Sequence, residues 1–272
     1  MKGTVYSIKG EKEGELELPA QFSEDYQPVI ITRAFNANMS QTYMHKGLDI
    51  FAGFKHVTRT SKRRRKFRTT YGYGISRTPR KMMSRRGTRF NWVSTLAPNT
   101  RGGRVAHPPM VEKVFEDKIN RKENLLAIRS AIAATINKKL VSERGHKFEA
   151  ANFPLIIDGA EKISKTKEVK QLLEKIGLGK DLERSSKKTL RSGVGKMRGR
   201  KYSTRKGPLI ITSAKNPLLK AALGLQGVEA IPVNNLNVTM LAPGGKAGRL
   251  TVWTKEAINV LSQKKLFTGE KA

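Results

Sequence analysis

The chain of 272 residues carries 54 Lys and Arg residues against 22 Asp and Glu residues, which gives a formal net charge of +32. An excess of this size predicts a polyanionic partner, and the absence of cysteine excludes a disulfide framework and a thiolate metal site. No apolar run approaches the roughly 18 residues of a membrane span and no signal peptide is recognisable, so an intracellular protein without a membrane partner is expected.

The first fifty residues predict a hairpin, a third strand and a helix. Alternating apolar residues over 4–8 and 15–18 flank a turn rich in glycine and charge, which indicates two paired strands. The apolar run 28–31 predicts a short strand. The stretch 34–52 predicts a helix that ends near Gly53.

A long segment without acidic residues follows, because none occurs between Asp49 and Glu112. Its single-sign charge would repel itself, and it cannot bury enough apolar surface to offset its ordering entropy. We therefore predict an extended basic loop over 54–110 that is inserted in a scaffold and binds nucleic acid. The predicted contact residues are Lys55, Arg59, Lys62, Arg63, Arg64, Arg65, Lys66, Arg68, Tyr71, Tyr73, Arg77, Arg80, Lys81, Arg85, Arg86, Arg89, Trp92, Arg101, Gly102, Gly103, Arg104 and His107.

The residue types of this loop favour RNA over DNA. Arginine contacts phosphate in bidentate fashion, and aromatic rings stack on the unpaired bases that structured RNA exposes. Glycine permits a close approach of the backbone. The alternative is a flexible disordered arm, but interleaved aromatics, prolines and the pair Met82 and Met83 favour one defined bound path.

The next stretch returns to regular periodicity. A stripe of apolar residues predicts one helix that is capped by Asn120 with Glu123 and ended by Gly145. The stripe consists of Leu125, Ile128, Ile132, Ile136 and Leu140. The run 155–157 predicts a buried strand, and 169–176 predicts a helix stopped by Gly177.

A second acid-free stretch predicts a basic loop over 184–207, for which a generic basic linker is the alternative. Its predicted contacts are Lys196, Arg198, Arg200, Lys201 and Tyr202. After it, strands are predicted at 209–212, 228–233 and 250–253. Helices are predicted from Asn216-Pro217 and from Thr254 to Leu261.

Strands that alternate with helices indicate an α/β fold, with an open, mostly parallel sheet covered by helices on both faces. The scaffold would comprise 1–53 and 111–272. Neither a dinucleotide-binding glycine pattern nor a phosphate-binding loop is complete, and the four histidines lack metal-ligand spacing. Asp158 follows a strand, where a turn or helix-cap role is favoured over a catalytic one. No enzyme activity, cofactor or metal is predicted.

Two stretches, 101–109 (RGGRVAHPP) and 195–202 (GKMRGRKY), resemble signatures of the large-subunit ribosomal protein four family, in its archaeal and eukaryotic branch. The resemblance extends from about Tyr6 to Lys264. The chain ends without the long basic tail of eukaryotic members, so an archaeal member is expected.

The resemblance implies a structural constituent of the large ribosomal subunit, in the cytoplasm, that binds large-subunit rRNA and neighbouring ribosomal proteins and acts early in assembly. It also implies that the loop tip helps to line the peptide exit tunnel and meets the nascent peptide. The tip residues would be Arg80, Met82, Met83, Arg85 and Arg86, a bulkier set than the glycine-rich tip of the family.

Two other functions fit the charge. One is an RNA-modifying enzyme that holds its substrate with the basic loop, which would require a cofactor loop that the sequence does not contain. The other is a DNA-compacting protein, which the interleaved aromatic residues and the lack of a basic groove-reading helix disfavour.

Overall fold

The structure, a computed structural model, describes residues 1–149 and 153–268. The chain divides into two units, and unit 1 comprises Met1–Thr42 and Glu116–Ala272, whereas unit 2 comprises Tyr43–Phe115. The strands are β1 (Lys2–Tyr6), β2 (Lys12–Glu17), β3 (Arg80–Arg86), β4 (Arg89–Ser94), β5 (Leu155–Ile157), β6 (Thr189–Leu190), β7 (Tyr202–Ser203), β8 (Leu209–Thr212), β9 (Glu229–Pro232) and β10 (Thr251–Thr254). The helices are α1 (Pro28–Ser40), α2 (Arg121–Ala134), α3 (Lys138–Glu143), α4 (Thr166–Leu173), α5 (Gly179–Ser186), α6 (Pro217–Leu223), α7 (Val238–Leu241) and α8 (Lys255–Gln263).

Unit 1 is built on a six-stranded sheet in the order β2-β1-β5-β10-β8-β9. All neighbouring strands run parallel except the β1–β2 hairpin at one edge. Alternate side chains of the buried strands enter two different cores: Ile156 and Trp253 pack on one face, whereas Leu155, Ile157 and Val252 pack on the other. Helices α1, α2, α7 and α8 cover the first face, and α3, α4 and α6 cover the second. The predicted mostly parallel α/β sheet with helices on both faces is confirmed.

The prediction of a strand at 28–31 is wrong, because these residues form the first turn of α1. Pro28 occupies the start of the helix, where its missing N–H costs no hydrogen bond. Ile31, Ala34 and Ala37 then recur on one buried side. The helix ends at Ser40, so the predicted helix over 34–52 is wrong in its second half.

The apolar stripe from Leu125 to Leu140 belongs to two helices and not to one. The break follows Ala134, and the side chain of Asn137 caps α3 by accepting a hydrogen bond of 3.1 Å from the Lys139 backbone N–H. Both helices contribute apolar side chains of this stripe to the cores of unit 1, although the helix is interrupted between them. Asn120 stands at the start of α2 but makes no side-chain capping bond.

Two predicted helix boundaries agree with the structure. Gly177 adopts a φ of +89°, which separates α4 from α5 through one wide turn over Glu174–Leu178. Thr254 caps α8, since its Oγ1 accepts a hydrogen bond of 3.2 Å from the Ala257 backbone N–H. None of the helices in residues 1–149 and 153–268 is both long and apolar enough to cross a bilayer.

Candidate nucleic-acid interface

Unit 2 contains the first acid-free stretch, and its two ends run side by side. The Leu48 N–H donates to the Pro109 carbonyl at 3.2 Å, and His45 Nδ1 lies 3.0 Å from the Val111 carbonyl. Further along, a Cβ built on Gly53 would approach the Arg104 Cα to 2.6 Å, so the two backbones are in direct contact there. The predicted loop 54–110 lies inside this unit.

The distal part of unit 2 folds as an antiparallel hairpin of β3 and β4. Gly87, with a φ of +58°, and Thr88 form the turn, and a bulge between Met82 and Ser84 shifts the register. Period-two alternation along β4 places Phe90 and Trp92 on the same side of the hairpin.

These two rings form an aromatic cluster with Phe67, which precedes the hairpin in the chain. Phe90 and Trp92 stack with centroids 5.3 Å apart and planes at 26°, and Phe67 meets Phe90 edge-on at 5.1 Å. Phe67 and Phe90 were not among the predicted contacts. The aromatic-polar-aromatic pattern at 90–92 indicates that Phe90 and Trp92 lie on one face of a strand. No sequence feature near Phe67 indicates that its ring contacts Phe90.

Guanidinium groups surround the cluster. Those of Arg68 and Arg85 lie 5.1 Å and 5.6 Å from the centre of the Phe67 ring, and that of Arg77 lies 4.6 Å from the Tyr71 ring. Both distances to Phe67 and the one to Tyr71 fall within the range of cation–π attraction. These three arginines thus contact aromatic rings and form no ion pair within the described chain.

The cluster forms the wall of an open cleft of about 710 Å³, here called the aromatic cleft. Its aromatic lining consists of Phe67, Tyr73, Phe90 and Trp92. Its cationic lining consists of Arg65, Lys66, Arg68 and Arg89. Thr69, Ile75 and Thr88 complete it, so the described lining contains hydrogen-bond donors and hydroxyl groups but no carboxylate.

Most of the predicted basic contacts in unit 2 are exposed, and three more besides Arg68, Arg77 and Arg85 have side-chain partners within the chain. Lys55 Nζ lies 2.5 Å from Asp49 Oδ2, and this hydrogen bond lowers the pKa of Asp49. Arg80 donates from Nη2 to the backbone and side-chain oxygens of Ser76 at 3.0 Å and 2.9 Å. Arg104 is half-buried, and its guanidinium lies 5.8 Å from the Phe54 ring centre.

The two predicted glycines have structural roles of their own. Gly102 has a φ of +74°, and a Cβ on Gly103 would lie 2.1 Å from the Ala97 carbonyl oxygen. A side chain at Gly103 would therefore collide with the backbone. Close backbone approach was predicted here, but the partner in the structure is the chain itself. His107 is exposed.

The predicted tip residues all lie on strand β3. Met82 is half-buried opposite Trp92, whereas Met83 sits at the bulge with 63% of its surface exposed. Arg85 and Arg86 are exposed near the turn, and Arg80 is at the far end of the strand.

The second basic stretch forms a short hairpin in unit 1 from β6 and β7. Leu190 pairs with Tyr202, and the Arg191 side chain donates from Nε to the Arg200 carbonyl at 3.1 Å. Lys201 Nζ lies 5.5 Å from the centre of the Tyr202 ring. The five predicted contacts of this stretch (Lys196, Arg198, Arg200, Lys201 and Tyr202) are all exposed.

Asp158, the carboxylate best placed for catalysis by sequence, is engaged in an ion pair. Lys255 Nζ donates to its Oδ2 at 2.6 Å, and this partner raises the pKa of Lys255. Across the described ranges, no group of three or more His, Cys, Asp or Glu side chains is placed to hold a metal ion.

Comparison with known proteins identifies the family to which this chain is similar. Residues 16–264 match the family described as ribosomal protein L4/L1. A protein of Nanoarchaeum equitans named large ribosomal subunit protein uL4 is 45% identical over 268 residues, covering 98% of this chain and 100% of its own. Proteins of the same name from Methanocaldococcus jannaschii and Pyrobaculum aerophilum are 41% and 43% identical over 97% and 94% of this chain, and over 99% and 88% of their own lengths.

Proposed function

Since the chain belongs to the ribosomal protein L4/L1 family, we propose that it is a structural constituent of the large ribosomal subunit in the cytoplasm. There it would bind large-subunit rRNA and neighbouring ribosomal proteins, and it would support early assembly. The predicted family and the prediction that the chain is not an enzyme are both confirmed. This membership removes the two alternatives, an RNA-modifying enzyme and a DNA-compacting protein.

The observation that carries the RNA-binding proposal is the charge of unit 2. From Ile50 to Val111 the chain has sixteen Lys and Arg residues and no acid, and most of these cations are exposed. Within the described chain only Lys55 among them forms an ion pair, and its partner Asp49 precedes the stretch. The cations therefore lack internal neutralisation, which phosphate groups would supply.

The expected mechanism is multivalent neutralisation of phosphates with release of their counterions. Each phosphate contact contributes about 0.7–0.9 to the slope of log affinity against log salt. Guanidinium groups add geometry, because their planar fork matches two phosphate oxygens at once. Unit 1 would supply the stable core and the contacts of the β6–β7 hairpin, and unit 2 would supply the larger number of contacts.

Filter binding of the full-length protein to large-subunit rRNA at increasing salt tests this proposal. We expect a slope steeper than about −5, and the triple substitution of Arg63, Arg64 and Arg65 by Gln should make it shallower by about 2–3. The matched control replaces Lys165, Lys167 and Lys170, exposed on and beside α4, by Gln and should leave the slope unchanged. A nearly flat slope for the unmodified protein would contradict the electrostatic mechanism.

A finer part of the proposal concerns the tip of the unit 2 hairpin, which we infer to line the peptide exit tunnel and to meet the nascent peptide. Arg80, Arg85 and Arg86 would hold rRNA, and the adaptable methionines would face the channel. Met83 is exposed, whereas Met82 is half-buried opposite Trp92, and this difference favours Met83 as the contact.

A photocrosslinker at Met83 in ribosomes with stalled nascent chains tests this assignment. Crosslinks to the peptide are expected at stall lengths that reach the middle of the tunnel, and a probe at Val114 is the control, since it is exposed but lies outside the hairpin. Crosslinks to rRNA or protein alone, across several stall lengths and with the probe moved from Arg80 to Arg86, would refute the tunnel contact.

A further inference from the structure

We propose that the aromatic cleft of unit 2 binds one unpaired guanine base of the RNA. This inference rests on the proposed RNA-binding function and adds to it a site that reads a base. Phosphate contacts alone carry no sequence information, so such a site would help to set the register of unit 2 on its RNA.

The first argument is the shape and exposure of the aromatic rings. If these rings only packed against one another as a small hydrophobic core, they would be buried. Instead, Phe67 keeps 49% of its surface exposed and Tyr73 keeps 69%. The space beside them, about 710 Å³, lies within the range of about 300–1,000 Å³ that is typical of small-molecule sites. An inserted base would stack on these ring faces, as bases do in single-strand binding proteins.

The second argument is a buried donor without a partner. Arg68 Nε is enclosed by the protein and has no hydrogen-bond partner among the described residues. A buried polar group left unpaired is costly, so such a group indicates a missing partner. Arg68 lines the aromatic cleft, and a rotation of its side chain would turn Nε toward an acceptor atom of a bound base.

The third argument is the chemical character of the lining, which selects among bases. Arg65, Lys66, Arg68 and Arg89 offer only hydrogen-bond donors. Guanine presents two adjacent acceptors, N7 and O6, whereas adenine presents N7 beside an amino donor. The hydroxyls of Thr69, Tyr73 and Thr88 can accept from an amino group, but the described lining has no carboxylate that would favour one, and a pyrimidine would cover less of the rings. Guanine is therefore the base that fits.

The backbone of this loop supports a site that is held in place. Arg65 and Arg68 have φ angles of +52° and +64°, a left-handed conformation that is unfavourable for residues other than glycine. Backbone hydrogen bonds maintain it, from Ser61 N–H to the Arg68 carbonyl at 2.9 Å and from Thr69 N–H to the Lys66 carbonyl at 3.2 Å. Strained residues of this kind cluster at ligand-binding sites.

Tryptophan fluorescence gives a direct readout, because the chain has two tryptophans and Trp253 is completely buried in unit 1. The full-length protein is titrated with uridine decamers that contain one central guanosine, adenosine or 7-deazaguanosine. A base stacked in the cleft should quench Trp92. We expect guanosine to bind roughly tenfold more tightly than adenosine, and 7-deazaguanosine, which lacks the N7 acceptor, to lose most of that preference.

Two matched pairs of variants assign the preference to the cleft. Arg68→Lys keeps the charge but removes Nε, and Tyr73→Leu keeps an apolar group but removes the ring. Their controls are Arg121→Lys and Tyr43→Leu, at exposed positions outside the cleft. The cleft variants should lose the guanosine preference, and the controls should keep it.

Equal affinity for guanosine and adenosine, or a preference that survives both cleft variants, would overturn the guanine site. In either case a steep salt dependence of rRNA binding would show that the proposed function stands. Loss of salt-dependent rRNA binding by the unmodified protein would instead refute the proposed function itself, so the two failures are distinguishable.

Discussion

Arg249 donates a hydrogen bond from Nη1 to Oε2 of Glu229 at 2.6 Å, although the Arg249 side chain is completely buried. Arg249 also donates to the carbonyls of Gly207 and Met240, at 3.1 Å and 2.9 Å. These hydrogen bonds connect β9 with Gly207, which precedes β8, and with Met240 in α7. The Glu229 carboxylate balances the buried charge of Arg249.

Replacement of Glu229 by Ala should destabilise the protein by about 3 kcal/mol, because it leaves the buried Arg249 charge without its carboxylate. The estimate lies at the low end of the range for broken buried pairs, since the Glu229 side chain is a quarter exposed. Urea unfolding followed by circular dichroism measures the change. Glu17→Ala, exposed on the edge strand β2, is the control and should change stability little. An unchanged unfolding midpoint for Glu229→Ala would contradict this role of the pair.

Stability should fall as the pH drops below about 6.5, because of His146. Burial lowers the pKa of this histidine, and its neighbour Asp181, 3.1 Å away, offsets the effect only in part. The unfolded chain therefore binds a proton at a pH where the folded protein does not, which favours unfolding by at most about 1.4 kcal/mol per pH unit. Unfolding curves between pH 7.5 and pH 5 measure this slope. His146→Asn should flatten it, and exposed His107→Asn should not; identical profiles for all three proteins would exclude His146 as the cause.

At lower pH the carboxylates should dominate. Burial opposes the ionisation of Asp181, but hydrogen bonds from His146, Arg184 and the Lys147 backbone outweigh it and lower its pKa. The stability that the ionised Asp181 contributes is present above the ordinary pKa of about 4 and is lost as the pH falls through the lowered value. Asp181→Asn should remove this acid-dependent loss, and it should lower stability at neutral pH because Arg184 and His146 lose their charged partner.

Unit 1 should fold without the hairpin and the aromatic cleft. None of the described residues from 43 to 115 contributes a buried apolar side chain to either core, and Gly53 already contacts Arg104. A variant in which Gly-Ser-Gly replaces residues 54–103 should keep its helical circular dichroism and cooperative melting. Ile156→Ala is the comparison and should cost about 3 kcal/mol, since it opens a cavity in the core. Loss of cooperative melting in the shortened protein would mean that unit 2 supports the core.

Substitution of Asp158 by Asn should not affect ribosome content or growth. Its ion pair with Lys255 is partly exposed, and such pairs contribute about 0–1 kcal/mol. Polysome profiles of cells that carry the variant, with immunoblots for incorporation, measure the outcome. A sharp loss of ribosomes while the variant remains folded and incorporated would point to a chemical role for this carboxylate.

The central strands β5, β8 and β10 were predictable because each is a short apolar run with turn residues on both sides, as in Leu209–Thr212 and Leu155–Ile157. Both faces of a parallel sheet are buried, so these strands are continuous apolar runs without the alternating polar residues of a strand that has one exposed face. The first turn of α1, from Pro28 to Ile31, was predicted as a strand because it, too, is a short apolar run. Only the packing of Ile31, Ala34 and Ala37 on one side distinguishes a helix from a strand.

The amino-acid sequence by itself determined the charge of unit 2, the α/β class and the family, since each depends on composition, local periodicity or contiguous motifs. Tertiary structure alone decided that Phe67 joins Phe90 and Trp92, that Arg249 is buried beside Glu229, and that Asp158 is paired with Lys255. These partners are separated by 20 residues or more, and a local pattern carries no information on which distant side chains the chain path brings together. The hydrogen bonds and ring contacts that define the aromatic cleft and the buried ion pairs exist only after that path is closed.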